Sequence, residues 1–442
     1  MKRLLGEAGF FAYLNALNQP YTRALRVNLL LRPDGTPSCP IEGLGAPVPW
    51  AKGAYFVEGD ARPGLSPLHE GGLFYMQEPS ALTAVTALDP QPGERVLDLC
   101  AAPGGKSTQI AALMAGRGLL CCNEPIPSRA QILSRNIERM GVRNAVVLSA
   151  MPDALAPRFP AFFDRILVDA PCSGEGMFRR QPEARDEWDA DAPRRCADRQ
   201  MEILAQAAKM LRPGGTMVYS TCTFNDTENE GVLKRFLALH PEFSLVPFAL
   251  PGLPEAKDGY LHLYPHEMRG EGHFVSRLKK ADGADEADAP VQAAPQRKAP
   301  ARAAAKGKAP APIALPDVFS DAFAPERLYT AGDALWMLPE GISIERLSGL
   351  RVLRTGLLLA HAEGKRSEPD HALAMALRPE EAARTASLTQ TQALAYQAGE
   401  TLSLGDLPGG YTLLCCEGVS LGWGKQAGGL MKNHYPKGLR RR

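Results

Sequence analysis

The sequence predicts an α/β fold built around a mainly parallel β-sheet. Three observations support this class: short β-rich apolar runs recur between residues 95 and 222, segments with helical spacing separate them, and small or polar turn residues follow them. Strands that alternate with helices form a parallel sheet covered on both faces. In chain order, the predicted strands are Arg95–Cys100, Gly118–Glu124, Asn144–Ala150, Phe163–Ala170 and Gly215–Cys222.

The segment before the last predicted strand has a clear helical period. Ile203, Ala207 and Met210 share one face of it, and the "RPGG" that follows is predicted to end the helix. In open α/β sheets, ligands bind beyond the carboxyl ends of the strands. We therefore expect the functional residues at those ends.

Composition limits the class of protein. The 442 residues suggest about two to four domains. The net charge of +1 neither indicates nor excludes a nucleic-acid partner, because a local basic groove can exist within a neutral total. The nine cysteines include no CxxC pair, and the opening "MKRLLGEAGF" lacks a secretory pattern, so we expect free thiols in the cytoplasm. No apolar run approaches the roughly 20 residues of a membrane span.

One segment differs in composition from the rest of the chain. Residues 281–315 are rich in Ala and Pro, lack aromatic residues and change from acidic to basic, which predicts a flexible linker. A weaker boundary lies near Ser66–Gly72, after a region rich in Pro and Gly. The predicted division is an N-terminal domain over 1–70, a central domain over 71–280 and a C-terminal domain over 316–442.

A glycine-containing loop follows the first predicted strand, in "VLDLCAAPGGKSTQIA". Gly104 and Gly105 would let the backbone approach a ligand, but the loop contains neither GxGxxG nor a Walker sequence. By itself it fits a plain strand–helix turn equally well. Glu124 ends the next strand 20 residues after Gly104, where a ribose diol would be held. Together, the loop and the carboxylate favour a nucleoside-type cofactor.

Two cysteines end neighbouring strands of this frame. Cys172 follows Asp169 in "VDAPCSGEG", and Cys222 lies in "YSTCTFND". A lone cysteine at a strand end is usually a small buried hydrophobe. Here the flanking residues are small, polar and turn-forming, and a thiol near Lys106 would favour its nucleophilic thiolate. Neither the spacing nor the neighbouring His residues suit a zinc site, so no metal is expected.

A pair of thiols beside an adenosyl cofactor suits methylation at carbon 5 of a pyrimidine. That carbon is too electron-poor to attack a methyl sulfonium until a thiolate adds to carbon 6. A base must then remove the carbon-5 proton before the thiolate can leave. One cysteine would attack and the other would assist the elimination.

These motifs resemble the Nop2/Sun family of RNA cytosine-5 methyltransferases. The resemblance covers about Tyr21–Lys280 and includes "DLCAAPGGKS", "VDAPCSGEGMF", "YSTCTF" and "YPHEMRGEGHF". The end of the chain, "GYTLLCCEGVSLGWGKQAGGLMKNHYPKGLR", resembles the PUA-like extension of the bacterial RsmF type, which modifies small-subunit ribosomal RNA. The resemblance implies a Rossmann-like class I methyltransferase domain, a small N-terminal α/β domain and a C-terminal PUA-like α+β domain.

The resemblance also implies S-adenosyl-L-methionine as the cofactor. Cys222 would be the nucleophile and Cys172 would aid product release, with Lys106 positioning the base and Asp169 near the methionine end. The cofactor-binding residues would be Cys100, Ala101, Ala102, Pro103, Gly104, Gly105, Lys106, Glu124, Arg129 and Asp169.

This sequence departs from the family pattern at two places. The acid expected after the third strand, to meet the adenine amine, is replaced near Met151, and Asp153 lies two residues later. Asp226 stands where the family often has proline, which we expect to have no effect.

We expect RNA as the partner, either small-subunit ribosomal RNA or the 30S particle, bound by a monomer away from membranes. Backbone phosphates would be held by basic side chains around the site. Phe178, Trp423 and Tyr435 are candidates to stack on an unpaired base and equally candidates for the core. The basic candidates are Arg23, Arg26, Arg179, Arg180, Arg194, Arg195, Arg199, Lys425, Lys432, Lys437 and Arg440–Arg442.

Other functions remain open at this point. The target cytosine could belong to tRNA, or to DNA if Cys172 were the attacking thiol. The latter would leave "STC" and the C-terminal domain without a purpose. A non-catalytic RNA-binding ribosome assembly factor on the same fold is the third alternative. A nicotinamide oxidoreductase is a more distant one, because GxGxxG is absent.

Overall fold

The computed structural model describes residues 1–181, 183–186, 188–283, 313, 317–318, 325–363 and 366–441. Apart from its first three residues and Ile313, the linker predicted over 281–315 lies outside the described residues. Within the described part of the chain, no helix combines the length and apolar character needed to cross a bilayer.

The N-terminal region contains a four-stranded antiparallel sheet with the order β2-β3-β1-β4. Because Ala24 on β1 pairs with Gln77 on β4, the predicted boundary at residue 70 falls inside this sheet unit. Strand pairing is non-local, so the Pro/Gly-rich turns before β4 did not reveal it. The elements are α1 (Lys2–Leu17), β1 (Arg23–Val27), β2 (Leu44–Pro47), β3 (Ala54–Val57), α2 (Pro67–Glu70) and β4 (Phe74–Gln77).

The central region confirms the α/β class. Five parallel strands have the order β9-β8-β5-β6-β7, and antiparallel strands β10, β11 and β12 extend the sheet beyond β9. The elements are α3 (Thr83–Leu88), β5 (Arg95–Asp98), α4 (Gly105–Leu113), β6 (Leu119–Asn123), α5 (Pro127–Arg139), β7 (Ala145–Leu148), α6 (Pro152–Leu155), β8 (Phe163–Asp169), α7 (Glu183–Asp186), α8 (Ala192–Met210), β9 (Leu211–Thr221), α9 (Glu230–Leu239), β10 (Phe243–Leu245), β11 (Tyr260–Leu263) and β12 (His273–Lys280).

Each of the five predicted strands is present, and alternate residues of the parallel strands enter two different cores. Val96 and Leu120 belong to one buried cluster, whereas Leu97 and Cys121 belong to the other. Successive strand side chains point to opposite faces, so burial on both faces explains why these runs are continuously apolar.

The last parallel strand begins earlier than predicted. β9 starts at Leu211 rather than Gly215, directly after α8 ends at Met210. The register against β8 shifts between the pairs Phe163–Leu211 and Arg165–Thr216. The "RPGG" residues therefore lie in an irregular strand segment, since a bulge accommodates proline and glycine inside a strand.

The C-terminal region forms two further four-stranded sheets, β13-β14-β16-β17 and β18-β19-β20-β21. One short strand, β15, instead joins the central sheet, where Val352 pairs with Leu148 of β7. The elements are β13 (Leu328–Ala331), β14 (Ala334–Met337), α10 (Ile344–Leu347), β15 (Val352–Arg354), β16 (Leu357–Glu363), β17 (Arg366–Pro369), α11 (His371–Ala376), β18 (Thr385–Ser387), α12 (Gln390–Ala398), β19 (Gly410–Cys416), β20 (Val419–Ala427) and β21 (Leu430–Asn433).

Polar and close contacts fix the C-terminal region on the central one. Arg143, after α5, bonds the Glu381 carboxylate and the Ala376 carbonyl. Gly141 approaches Met375 so closely that an added Cβ would lie 2.4 Å from the Met375 carbonyl oxygen. The two regions therefore share an interface as well as a strand.

Candidate active site

The loop after β5 is held by its neighbours on the sheet. The Ala101 amide donates to the Asn123 carbonyl at 2.8 Å, and Asn136 Nδ2 donates to the Pro103 carbonyl at 2.9 Å. Gly104 has φ +113°, and an added Cβ would lie 3.2 Å from Leu133 Cδ1 of α5. The left-handed conformation and the close approach both favour glycine. The loop is therefore a fixed cradle that opens at the start of α4.

Glu124 follows β6 on the same edge of the sheet. Its side chain is 3 % exposed, Oε1 accepts from the Ile126 amide at 3.0 Å, and Oε2 lies 3.4 Å from Arg129 Nη1. Arg129 Nη2 also donates to the Ala102 carbonyl at 3.2 Å. Arg129 thus links the carboxylate to the loop, and a carboxylate at this strand end is suited to accept from two vicinal hydroxyls.

A second carboxylate lies beneath the loop. Asp98 is fully buried, and Oδ2 accepts from Ser107 Oγ at 2.6 Å. Among the described residues, Oδ1 has no hydrogen-bond partner. Burial raises the pKa of Asp98 to about 7, against the opposing effect of the Ser107 hydroxyl. An unpaired buried carboxylate oxygen is costly, so its presence here fits a ligand that brings a donor or a positive charge.

Lys106 and Asp169 form an ion pair between the loop and the end of β8. Lys106 Nζ donates to Asp169 Oδ2 at 2.7 Å, and Ser220 Oγ donates to Oδ1 at 2.8 Å. Burial would raise the pKa of Asp169, but the charge on Lys106 and the contact with His273 hold it well below its usual range. Burial would also lower the pKa of Lys106, but attraction to Asp169 and then Cys222 raises it. Asp169 is therefore ionised and Lys106 is charged.

The two cysteines meet at the adjoining strand ends. Cys172 Sγ and Cys222 Sγ lie 3.2 Å apart, and both residues are half-buried. Because Asp169 on β8 is in register with Ser220 on β9, the residues that follow each strand emerge side by side. The contact with Cys222, burial and the charge on Glu228 raise the pKa of Cys172 well above its usual value. Cys172 is therefore held as the neutral thiol.

The loops that carry the two cysteines hold each other through a reciprocal pair of glutamates. Glu175, after Cys172, accepts from the Phe224 amide at 2.8 Å and the Asn225 amide at 3.1 Å. Glu228, after Cys222, accepts from the Ser173 amide at 3.0 Å. We call these two residues the glutamate clamp. Each carboxylate satisfies backbone donors of the opposite loop, which fixes the separation of the thiols.

The glutamate clamp is supported from below by buried polar side chains. Gln200 of α8 donates to Glu228 Oε2 at 2.9 Å and to the Pro171 carbonyl at 3.0 Å. Tyr219 in turn donates to Gln200 Oε1 at 2.9 Å. These side chains tie the long helix α8 to both cysteine loops.

The structure thus brings most of the predicted site residues to one edge of the sheet, but Asp153 and Met151 remain apart from these contacts. Asp153 is exposed in the first turn of α6, and Met151 before it is 61 % exposed. A contact of Asp153 with an adenine amine stays a prediction.

Two basic residues expected to hold RNA serve the fold instead. Arg26 is fully buried and donates to Thr108 Oγ1 at 2.9 Å, and burial lowers its pKa to about 10. The Arg179 side chain is 8 % exposed and pairs with Glu271. Trp423 and Tyr435 are also buried, so they belong to the core rather than to a stacking surface. Sequence pattern alone does not distinguish a buried arginine from an exposed one.

Sequence reasoning missed four polar residues of the site: Ser220, His273 and the glutamate clamp. The sequence feature that could have indicated the clamp is the short spacing between each cysteine and a glutamate. Glu175 follows Cys172 by three residues, and Glu228 follows Cys222 by six. His273 lies in the quoted motif "YPHEMRGEGHF", but the motif did not place it in the site, because β12 reaches the site only through antiparallel pairing with β9. In the described residues, no group of three or more His, Cys, Asp or Glu side chains is arranged to hold a metal ion.

Four family models match successive parts of the chain. The model described as 16S rRNA methyltransferase RsmB/F matches residues 85–279, and the N-terminal domain of 16S rRNA methyltransferase RsmF matches residues 1–79. The RsmF rRNA methyltransferase first C-terminal domain matches residues 316–377, and the methyltransferase RsmF PUA domain matches residues 383–441. These two matches divide the predicted C-terminal domain into two modules, in agreement with its two sheets.

Solved structures share the central fold. A methyltransferase homologue from Pyrococcus horikoshii is 30 % identical, with a TM-score of 0.51 over 63 % of this chain and 97 % of that one. NSun6 from the same organism is 22 % identical, with a TM-score of 0.54 over 64 % of this chain and 97 % of that one. The latter supports the fold alone.

Full-length relatives define the family. The ribosomal RNA small subunit methyltransferase F of Erwinia tasmaniensis is 33 % identical over 99 % of this chain and 95 % of its own length. The protein of the same name from an Enterobacter species is 35 % identical over 99 % of this chain and 93 % of its own. With all four family models in matching order, the chain belongs to the RsmF group of the RsmB/F family of 16S ribosomal RNA methyltransferases.

Proposed function

We propose that this chain methylates carbon 5 of cytosine in small-subunit ribosomal RNA, using S-adenosyl-L-methionine. The observation that carries the proposal is the 3.2 Å contact between Cys172 and Cys222 beside the Lys106–Asp169 ion pair. Neither a plain dinucleotide site nor a passive RNA-binding surface needs two thiols in contact next to a paired lysine. Family membership supports the ribosomal RNA target.

The residues at the carboxyl ends of β5 and β6 fit the cofactor. Glu124 would accept from the ribose hydroxyls, the backbone of the loop Cys100–Lys106 would approach the methionine portion, and Arg129 would hold Glu124 against the loop. The unpaired oxygen of Asp98 is suited to the positive end of the methionine. When bound, S-adenosylmethionine supplies an electrophilic methyl group.

Cys222 is the proposed nucleophile. Its thiolate adds to carbon 6 of a cytosine turned out of the RNA stack, forming the sulfur–carbon bond while the π electrons move towards carbon 5. Lys106 stabilises the thiolate electrostatically, and the attraction between the two contributes to the raised pKa of the lysine. The thiol of Cys172 donates a hydrogen bond to the sulfur of Cys222 and so keeps the attacking sulfur oriented. Lys106 and Asp169 together position the polar edge of the base.

Cys172 is the proposed base for product release. Once Cys222 Sγ is bonded to carbon 6 it no longer carries charge, so a principal cause of the raised pKa of Cys172 is gone. Once the electron pair at carbon 5 has formed a bond to the methyl group, Cys172 can lose its proton to solvent and take the proton of carbon 5. The released electron pair restores the carbon 5–carbon 6 double bond, the sulfur–carbon bond breaks, and Cys222 returns as the thiolate.

The C-terminal modules would hold the RNA while the base enters the site. The family model of the RsmF PUA domain matches residues 383–441, and Lys425, Lys432 and Lys437 lie within it. We propose that the protein works as a monomer in the cytoplasm, where ribosomal RNA is available.

Bisulfite sequencing of ribosomal RNA from a strain that lacks this protein tests the target. One or more small-subunit cytosines should lose protection and regain it when the wild-type gene is restored, but not with Cys222→Ala. In parallel, purified protein should methylate 16S RNA or the 30S particle and leave tRNA and duplex DNA unmodified. Methylation confined to tRNA or DNA would overturn the proposed target.

A second measurement separates the enzyme from an assembly factor. Isothermal titration should show that the purified chain binds S-adenosylmethionine, and Glu124→Ala should weaken that binding. A chain that binds RNA but neither binds S-adenosylmethionine nor methylates any substrate would be a non-catalytic factor.

A further inference from the structure

His273 is a buried titratable residue that the mechanism above does not use. It is the first residue of β12 and is 3 % exposed. In the antiparallel ladder, Phe274 pairs with Thr221 of β9, so His273 lies at the end of the strand that leads into Cys222. The chain thus places an imidazole at the edge of the sheet where Asp169 and both thiols converge.

The geometry connects His273 to Asp169. His273 Nε2 lies 3.4 Å from Asp169 Oδ1, the oxygen that also accepts from Ser220 Oγ. The other oxygen, Oδ2, is occupied by Lys106. Among the described residues, Nε2 finds no partner with hydrogen-bond geometry. An imidazole nitrogen buried at ion-pair distance from one carboxylate has an evident acceptor, and such contacts often shorten when substrate binds.

A purely structural role explains these contacts less well. A buried histidine that serves packing usually satisfies its ring nitrogens, as an unmet donor costs free energy. His273 instead places its ring nitrogen 3.4 Å from Asp169 Oδ1, the oxygen that also accepts from the Ser220 hydroxyl.

We propose that His273 is a positioning residue for Asp169. Its imidazole holds Oδ1 from the β12 side while Ser220 holds it from β9, so that Oδ2 stays turned towards Lys106. The charged groups facing this contact are Asp169 and Lys106, and Glu271 on the same segment is paired with Arg179. The role of Asp169 rests on the proposed function, whereas the contact itself does not.

The kinetic test compares two substitutions at this position in the full-length protein. His273→Phe keeps an aromatic ring and removes the nitrogen, and His273→Gln keeps a side-chain donor. The contact is proposed to shorten to a hydrogen bond when substrate binds, so His273→Phe should lower kcat for RNA methylation by roughly tenfold to a hundredfold, the range expected when a hydrogen bond to a charged group is lost. KM for S-adenosylmethionine should not change, and His273→Gln should recover most of the rate. Equal kcat values for wild type and His273→Phe would overturn the proposal, as would equal losses in both variants with unchanged melting temperatures.

A spectroscopic test is independent of activity. The ring ¹⁵N resonances of His273, assigned by their disappearance in His273→Phe, should shift in Asp169→Asn because the carboxylate partner is gone. Asp198→Asn, at an exposed ion pair with Arg235 on the surface, is the control and should leave them in place. Unchanged His273 resonances in Asp169→Asn would overturn the contact. If wild-type protein failed to methylate RNA while these resonances still shifted, the proposed function would fail and the contact would stand.

Discussion

Cys172 Sγ lies 3.2 Å from Cys222 Sγ, at the ends of two adjacent parallel strands. The same contact raises the pKa of Cys172. In the proposed mechanism, Cys172 is the proton carrier and Cys222 is the nucleophile. The distance between the two sulfur atoms is set by the strand register and by the glutamate clamp.

Substitution of either cysteine should interrupt catalysis at a different stage. Cys172→Ala should still form the bond from Cys222 to carbon 6 but release it slowly, so a covalent protein–RNA adduct should accumulate on denaturing gels. Cys222→Ala should form no adduct, and the double variant should behave like Cys222→Ala. An adduct in Cys222→Ala but not in Cys172→Ala would reverse the assigned roles.

Removal of the clamp charge should reduce catalysis without affecting cofactor binding. Glu228 is fully buried and accepts from Ser173, Gln200 and Asn225. In Glu228→Gln an amide group would face these donors, so we expect kcat to fall by roughly tenfold to a hundredfold. The Kd for S-adenosylmethionine, measured by titration calorimetry, should not change.

Asp226→Asn is the matched control for Glu228→Gln, because it removes a carboxylate of the same loop. Asp226 forms an ion pair with Arg3 at the surface, and such pairs contribute about 0–1 kcal/mol. Its kcat should stay within about twofold of wild type. A comparable loss in both variants would mean that loop charge, not the clamp, controls the thiols.

Loss of the Glu124 carboxylate should weaken binding of the cofactor. Glu124→Ala should raise the Kd for S-adenosylmethionine by about tenfold to a hundredfold, since hydrogen bonds to a charged group contribute roughly 1.5–3 kcal/mol. Arg129→Ala should have a smaller effect, because Arg129 acts through Glu124 and Ala102 and is half exposed. Titration calorimetry gives both values. A larger effect of Arg129→Ala would place the arginine on the ligand itself.

Titration of Asp98 should lower the free energy of unfolding as pH rises through the interval between its unfolded and folded pKa values. Its folded pKa of about 7 exceeds the ordinary value of 3.8. Between these values the folded protein holds a proton that the unfolded chain has lost, so the free energy of unfolding decreases with pH. The side chain introduced by Asp98→Asn does not titrate. The melting temperature of this variant, relative to that of wild type, should therefore rise between pH 5 and pH 8. Thermal melts of both proteins without cofactor measure this, and a constant difference would contradict the burial argument.

The interface between the C-terminal and central regions should depend on one buried ion pair. Arg354, 4 % exposed, pairs with Glu138 of α5. Arg354→Ala leaves the Glu138 charge largely buried without its partner, which typically costs about 3–5 kcal/mol. We expect the melting temperature to fall by several degrees. The double variant Arg354→Leu/Glu138→Leu should recover most of the loss, and failure to recover would assign the effect to packing.

Several parts of this site follow from local sequence patterns. The alternation of apolar runs predicted five parallel strands, and those strands are present. The motifs placed Asp169 and both cysteines at strand ends and Lys106 in the turn that leads from β5 into α4, because strand termini and turn residues are local features of sequence. Arg26 and Arg179 show the limit of such reasoning. The local sequence around an arginine is similar whether its side chain binds a phosphate or is buried and stabilises a loop.

The sequence by itself determined the fold class, the order of the elements and the residue types at each strand end, because hydrophobic periodicity and turn chemistry act over a few residues. Only the tertiary structure decided that the two thiols touch, that Glu175 and Glu228 each hold the opposite loop, and that His273 faces Asp169. It also decided that Val352 pairs with Leu148 across the predicted domain boundary. These relationships join residues about 50 to 200 positions apart, and such pairings are set by strand register and packing rather than by local pattern.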